Sequence, residues 1–377
     1  MSRILVFSRD PGGANAVIPL VKPLRDQGCD VLLYGKDVAL GKCRAAGLDV
    51  RDIMDSVTEI SSNAVDSFLS NESLDVIITG TSADDFTEKL IWKAGEKLGI
   101  PSLAIVDQWV NYGLRFSDHG VNDIGEYARD RFFPYLPTRI VAMDDYARME
   151  MIADGLPEER IAVCGQPYFE TVLASRNDDV GNARFNALKG FTQDDFVVLF
   201  ASEPMTTTYG AGALDYWGYT ELTILTALIS SLEKIAEEAE RRIVLVVRPH
   251  PKEGRSHFME IVGECRHVRC SFDSGSTPWE LMNRADLVCG MSSMFLIESV
   301  ILGRPVLSIQ IALRREDPFV LARRGITRSV ANWEELDTRL RDIIINGEVE
   351  VSTFEIIRNP VERIIMEMEK LLCHNLR

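Results

Sequence analysis

The feature that most constrains this chain is an alternation that runs along it twice: short apolar runs, each followed by an amphipathic stretch long enough for a helix. In the first half the runs are RILVFS (3–8), DVLLYG (30–35), DVIITG (75–80), SLAIV (102–106), TRIVAM (138–143) and RIAVCG (160–165). Helical patterns lie between them, from Gly13 through IPLVKPLRDQG, near residues 38–46, across 84–98 and across 144–154. Strands that are apolar throughout, rather than alternating apolar and polar, are those of parallel sheets covered by helices on both faces. The pattern then restarts with DFVVLFAS (195–202), a long helix across 220–240, IVLVVRP (243–249), HVRCSF, DLVCG, a helix from Ser293 and PVLSI (305–309). The expected fold class is α/β, with two doubly wound domains, and 377 residues suit two such cores better than one.

Between the halves, residues 166–195 are polar and rich in Asn, Asp and Gly, which places the domain boundary there. The expected division is residues 1–170, residues 171–357, and a last amphipathic helix in 358–377. That helix either packs on its own domain or crosses back to the first. Doubly wound sheets bind ligands at the carboxyl ends of their strands, so two of them place the expected site in a cleft between the domains.

Composition narrows the ligand. A formal charge of −16 excludes general affinity for nucleic acid or an anionic membrane, so a polyanion must be held by a local group of donors. Seven cysteines without a CxxC pair, and five histidines without ligand spacing, give no metal site and read as reduced thiols of a cytoplasmic protein. No apolar stretch approaches the ~20 residues of a membrane span, and MSRILVFSRDPGG is unlike a signal peptide. Peripheral work at a membrane surface stays open, as does the oligomeric state.

Three motifs carry chemistry. DPGGANA (10–16) sets Gly12 and Gly13 at a strand-to-helix turn, where backbone can approach an anion at a helix N-terminus; a plain tight turn is the alternative. RPHPKE (248–253) fixes His250 between two prolines at a strand end, with Arg248 and Lys252 beside it, a reasonable phosphate-binding group. ADLVCGMSSMFLIESVILGRPVLSI (285–309) runs from a strand through Gly290, Ser292 and Ser293 into a helix that carries Glu298 in an apolar stretch. Hydroxyls and free N–H groups there can take a phosphate, and Glu298 can bridge ribose hydroxyls. In the first half, IVDQWVNYGLRF supplies Asp107 as a candidate acid or base, and Trp109, Tyr112 and Arg115 to stack on a sugar and grip an anion.

The third motif resembles the nucleotide-binding half of GT-B proteins, which pair two Rossmann-like domains and include the non-hydrolysing UDP-N-acetylglucosamine 2-epimerases and many glycosyltransferases. GLPEERIAVCGQP (155–167) is similar to the segment by which those proteins pass from first to second domain. The resemblance implies that Ser292 and Ser293 meet a donor phosphate and Glu298 its ribose. His250-Pro251 with Ser292-Ser293 also resembles bacterial sialyltransferases and capsule or teichoic acid polymerases. The donor implied is therefore UDP-, CMP- or CDP-linked, with no metal or other cofactor. Two departures count against a conventional epimerase: ASEPMTTTYG (201–210) lacks the family's histidine, and Asp107 stands where the family has glutamate. The leading expectation is a glycosyl- or polyol-phosphate transferase of surface polysaccharide assembly, with Asp107 and His250 catalytic, which leaves the sugar's carbon-bound hydrogens untouched. An epimerase or hydrolase of the 2-epimerase type is the alternative, and a silent nucleotide-sugar binding protein the third.

Overall fold

The computed structural model describes residues 1–176, 190–192, 194–209, 216–239, 241–273 and 275–374. They divide into two compact units, Met1–Thr171 with Ile356–Arg377, and Val172–Glu355.

Unit 1 contains β1 (Arg3–Ser8), β2 (Asp30–Gly35), β3 (Arg51–Asp52), β4 (Val76–Thr79), β5 (Ser102–Ile105), β6 (Arg139–Ala142) and β7 (Ile161–Val163). They form one parallel sheet in the order β3-β2-β1-β4-β5-β6-β7. Side chains of successive strand residues point to opposite faces, and both faces are dry. Ile4, Val6, Val76 and Ile78 pack with Val17, Leu20 and Leu24 of the helix Pro11–Asp26. Leu5, Phe7 and Ile77 pack on the other side with Phe68 and Leu69 of Ser62–Glu72 and Ile91 of Thr87–Leu98. The helix Pro360–His374 also belongs to this unit, placing Ile364, Ile365, Met368 and Leu371 in the first of these cores.

Unit 2 contains β8 (Phe196–Ala201), β9 (Ile243–Arg248), β10 (Arg269–Phe272), β11 (Leu287–Gly290), β12 (Val306–Ile309) and β13 (Ser329–Val330). Its parallel sheet runs β10-β9-β8-β11-β12-β13. Phe196, Val198 and Phe200 alternate inward with Ile243, Leu245 and Val247 against the helices Glu221–Ala239 and Trp333–Ile344.

The strand order reverses at β1/β4 in one unit and at β8/β11 in the other. Such switch points open a crevice at the carboxyl ends of the strands, because the loops on either side run to opposite faces.

Boundaries differ from the sequence reading where local hydrogen bonds decide them. The helix expected from Gly13 starts at Pro11, whose fixed φ suits the first helical position. The helix expected across 84–98 starts only at Thr87, because Ser82 Oγ accepts from the Asp84 and Asp85 N–H groups and Asp85 accepts from Thr87 N. Within the polar stretch 166–195 lies a helix, Pro167–Ala174, while residues 177–189 and 193 of that stretch fall outside the described residues.

Candidate functional site

In unit 1 the switch point is closed by glycine. A Cβ on Gly80 would stand 2.6 Å from Gly13 Cα, so the loop after β4 and the start of Pro11–Asp26 touch backbone to backbone. The absence of a side chain at Gly13 is thereby accounted for by packing against Gly80 and Thr81. A Cβ on Gly12 would stand 1.6 Å from Asp107 Oδ2. The Asp107 carboxylate thus lies directly on the turn, at the place where backbone approach to an anion was expected.

Asp107 follows β5 and is 4% exposed. Its Oδ1 accepts from Arg115 Nη1 at 3.0 Å, and the same nitrogen donates to Thr81 Oγ1 at 2.8 Å and Thr81 O at 3.2 Å. Burial pushes the Asp107 carboxyl above its ordinary pKa, against the opposing pull of the Arg115 charge. A buried carboxyl beside a cation is a candidate acid–base group.

Its expected neighbours do other work. Trp109 is buried, donates to Asp144 Oδ1 at 3.1 Å and stacks on Phe169 with ring centroids 5.8 Å apart. Tyr112 is buried and donates to Glu150 Oε2 at 2.8 Å. Arg115 is committed to Asp107 and Thr81. None of the three presents itself as an open acceptor site, because their aromatic and guanidinium surface is spent inside unit 1.

Two neighbouring residues that sequence reasoning passed over are buried and ionisable. Glu88 accepts from Arg9 N at 3.2 Å, and its Oε2 has no hydrogen-bond partner. Burial pushes its pKa up to about 8, with Asp10 and Asp85 adding like charge. Lys89 donates to the carbonyls of Leu114, Ser117 and His119 at 3.2, 2.7 and 3.0 Å, which ties down the loop carrying Arg115. Desolvation lowers its pKa to about 8. Both look like ordinary helix residues in the sequence, and only three-dimensional burial marks them.

In unit 2 the switch point holds a carboxylate that the sequence did not announce. Glu203, two residues past β8, places Oε1 2.6 Å from Ser292 N and 2.9 Å from Ser293 N, while Oε2 accepts from Ser292 Oγ at 2.9 Å. These donors lie at the start of the helix Met294–Ile301, which has no cap hydrogen bond from its own Ser293 side chain. Ser293 Oγ is buried without a hydrogen-bond partner. The expected phosphate donors therefore exist and converge, but a glutamate of the same chain occupies them. Burial raises the Glu203 pKa while the hydrogen bonds from Ser292, Ser293 and Met291 oppose the rise. Gly290 is explained by packing, since a Cβ there would stand 2.9 Å from Ala201 O. Glu298 is buried in the following helix, as its apolar surroundings imply.

The RPHPKE segment is less cationic than it reads. His250 Nδ1 accepts from Lys252 N at 3.2 Å, which leaves the ring proton on Nε2. Burial, with Lys252 as the second cause, holds the imidazole below its ordinary pKa, which favours the neutral ring. Arg248 lies 3.6 Å from Asp273 and donates to Ser276 O at 3.1 Å. Lys252 is exposed. Glu253 caps the segment, accepting from His250 N at 2.7 Å and Ser202 Oγ at 3.1 Å. Nearby, His257 Nε2 pairs with Glu221 Oε1 at 2.6 Å, and candidate ligand atoms of Glu221, Glu253 and His257 lie within 4.8 Å of one another. The histidine spacing had given no sign of that cluster, whose members come from a helix start and a loop.

Two parallel sheets, each in the doubly wound strand order, match the GT-B fold class. No family model matches the sequence, and no curated protein does. Among solved structures, the chain is similar to Staphylococcus aureus MnaA in complex with UDP, at 15% identity over 99% of this chain and 97% of that one, TM-score 0.69. It is similar to the UDP-GlcNAc 2-epimerase of Neisseria meningitidis bound to UDP-GlcNAc, at 15% identity over 98% and 100%, TM-score 0.68. Anabaena Alr3699/HepE in complex with UDP and glucose matches at 15% identity over 99% and 100%, TM-score 0.62. No helix among the described residues is long and apolar enough to cross a membrane.

Proposed function

We propose that the chain is a nucleotide-sugar enzyme of the UDP-GlcNAc 2-epimerase or hydrolase type, in which Ser292 and Ser293 hold the nucleotide and Asp107 is an acid–base group. The observation that carries the reading is the set of donors at the β8/β11 switch point: Ser292 N, Ser293 N and Ser292 Oγ converge on one oxyanion-sized group. Likeness in fold over the whole chain to proteins solved with UDP and UDP-GlcNAc supports a uridine nucleotide over a cytidine one. It also moves the balance from the transferase expected of the sequence toward the epimerase type. In this reading His250 donates through Nε2 to a phosphate oxygen, and Glu298 accepts from ribose hydroxyls.

A transferase remains the second reading, on one observation: the segment after β8, ASEPMTTTYG, contains no histidine. The two differ in the fate of a C–H bond, since an epimerase removes and returns a proton on the sugar and a transferase does not. Incubation with UDP-GlcNAc in heavy water is expected to place deuterium at C2 of the recovered sugar. Asp107→Asn is expected to abolish that exchange while UDP still binds. UDP release without carbon-bound deuterium, dependent on an added acceptor, would decide for transfer.

A further inference from the structure

We propose that Glu203 is an internal competitor for the phosphate of the ligand, seated in the anion cradle and displaced when phosphate binds. The inference rests on the nucleotide reading for its physiological ligand, but not for its geometry.

The backbone N–H groups of Ser292 and Ser293 are orphan donors of a helix start, and the helix dipole adds partial positive charge there. Such donors favour any anion of suitable shape. Glu203 Oε1 accepts from both N–H groups, at 2.6 and 2.9 Å, and its Oε2 accepts from Ser292 Oγ at 2.9 Å, so that it engages three donors of these two serines at once. A phosphate oxygen pair needs the same three donors from the same direction. The two anions cannot share them, because like charges at hydrogen-bond range repel strongly in a partly dry site. Phosphate entry therefore requires the Glu203 side chain to rotate away. On leaving, the carboxylate exchanges these three donors for water, and the net cost of that exchange is subtracted from phosphate affinity.

Ser293 Oγ gives an independent sign of an incomplete partner set. It is buried at the helix start and has no hydrogen-bond partner, although Glu203 lies on the N–H of the same residue. A tetrahedral phosphate carries more acceptor oxygens than a planar carboxylate and can satisfy it. The loop supplies the means of exchange: Glu203 lies beyond the last residue of β8, outside the strand ladder, so its side chain can leave without breaking sheet hydrogen bonds.

The test is titration calorimetry with inorganic pyrophosphate and with UDP, on the wild-type chain, Glu203→Ala and Glu203→Gln. The glutamine keeps an oxygen acceptor for the helix start without the charge, which guards against loss of the fold in the alanine variant. Both variants are expected to bind pyrophosphate at least tenfold more tightly than wild type. Equal or weaker pyrophosphate binding by a folded variant overturns the proposal, as does absence of binding in all three proteins. Tightening for pyrophosphate with no extra affinity for UDP upholds Glu203 as competitor and overturns the nucleotide reading instead.

Discussion

At the scale of single residues, the candidate site combines what could be read and what could not. Asp107, His250, Ser292 and Ser293 could be proposed from sequence because each follows an apolar strand closely, where doubly wound folds put their chemistry. Glu203 could not, since its partners lie 89 and 90 positions away and no local pattern connects ASEP with MSS. Trp109 and Tyr112 show the opposite case: aromatic residues beside a strand end suit a sugar on paper, while the fold buries both and bonds them to Asp144 and Glu150. Glu88 yields a direct test. Its folded-state pKa of about 8 lies above the ordinary 4.5, so between those values the folded protein holds a proton that the unfolded chain has lost. Stability should therefore fall as pH rises through that window. Glu88→Gln keeps an acceptor for Arg9 N and is expected to flatten the decline by up to ~1.4 kcal/mol per pH unit. Urea unfolding from pH 5 to 8 measures it, and parallel curves for the two proteins would refute the buried-carboxyl account.

At the scale of elements, long apolar strands were legible and short ones were not. RILVFS and DVLLYG match β1 and β2 to the residue, because continuous burial on both faces leaves an unbroken apolar run. The two-residue strands β3 and β13 offer too little pattern to detect. Helix starts shifted wherever side-chain oxygens captured backbone N–H groups first, as Ser82 and Asp85 do before Thr87. The approach of Pro11–Asp26 to Asp107 depends on the absence of one methyl group. Gly12→Ala is expected to push the Asp107 carboxylate out of place and to lower stability by about 1–3 kcal/mol. Chemical denaturation of Gly12→Ala, and of Gly12→Ala combined with Asp107→Ala, separates cause from coincidence. Recovery of part of the loss in the double variant is the expected result; equal loss in both would locate the strain elsewhere.

At the scale of the whole molecule, the alternation of strands and helices made two doubly wound units legible, while the membership of the last helix was left undecided by its amphipathic pattern alone. Pro360–His374 fits unit 1, filling its core beside Val17, Leu20 and Val21 with Ile364, Ile365, Met368 and Leu371. A chain ending at Glu355 is expected to expose that face and lose amide protection in β1, β2 and β4 while β8 and β9 keep theirs. Hydrogen exchange read by mass spectrometry tests this, and uniform loss across both sheets would contradict it. The same arrangement orders events at the ribosome. Unit 2 is continuous in sequence and can close its sheet as soon as residue 355 clears the exit tunnel. Unit 1, though translated first, must wait with one flank of its sheet uncovered until residues 356–374 emerge. The half of the protein made earliest is thus the half completed last.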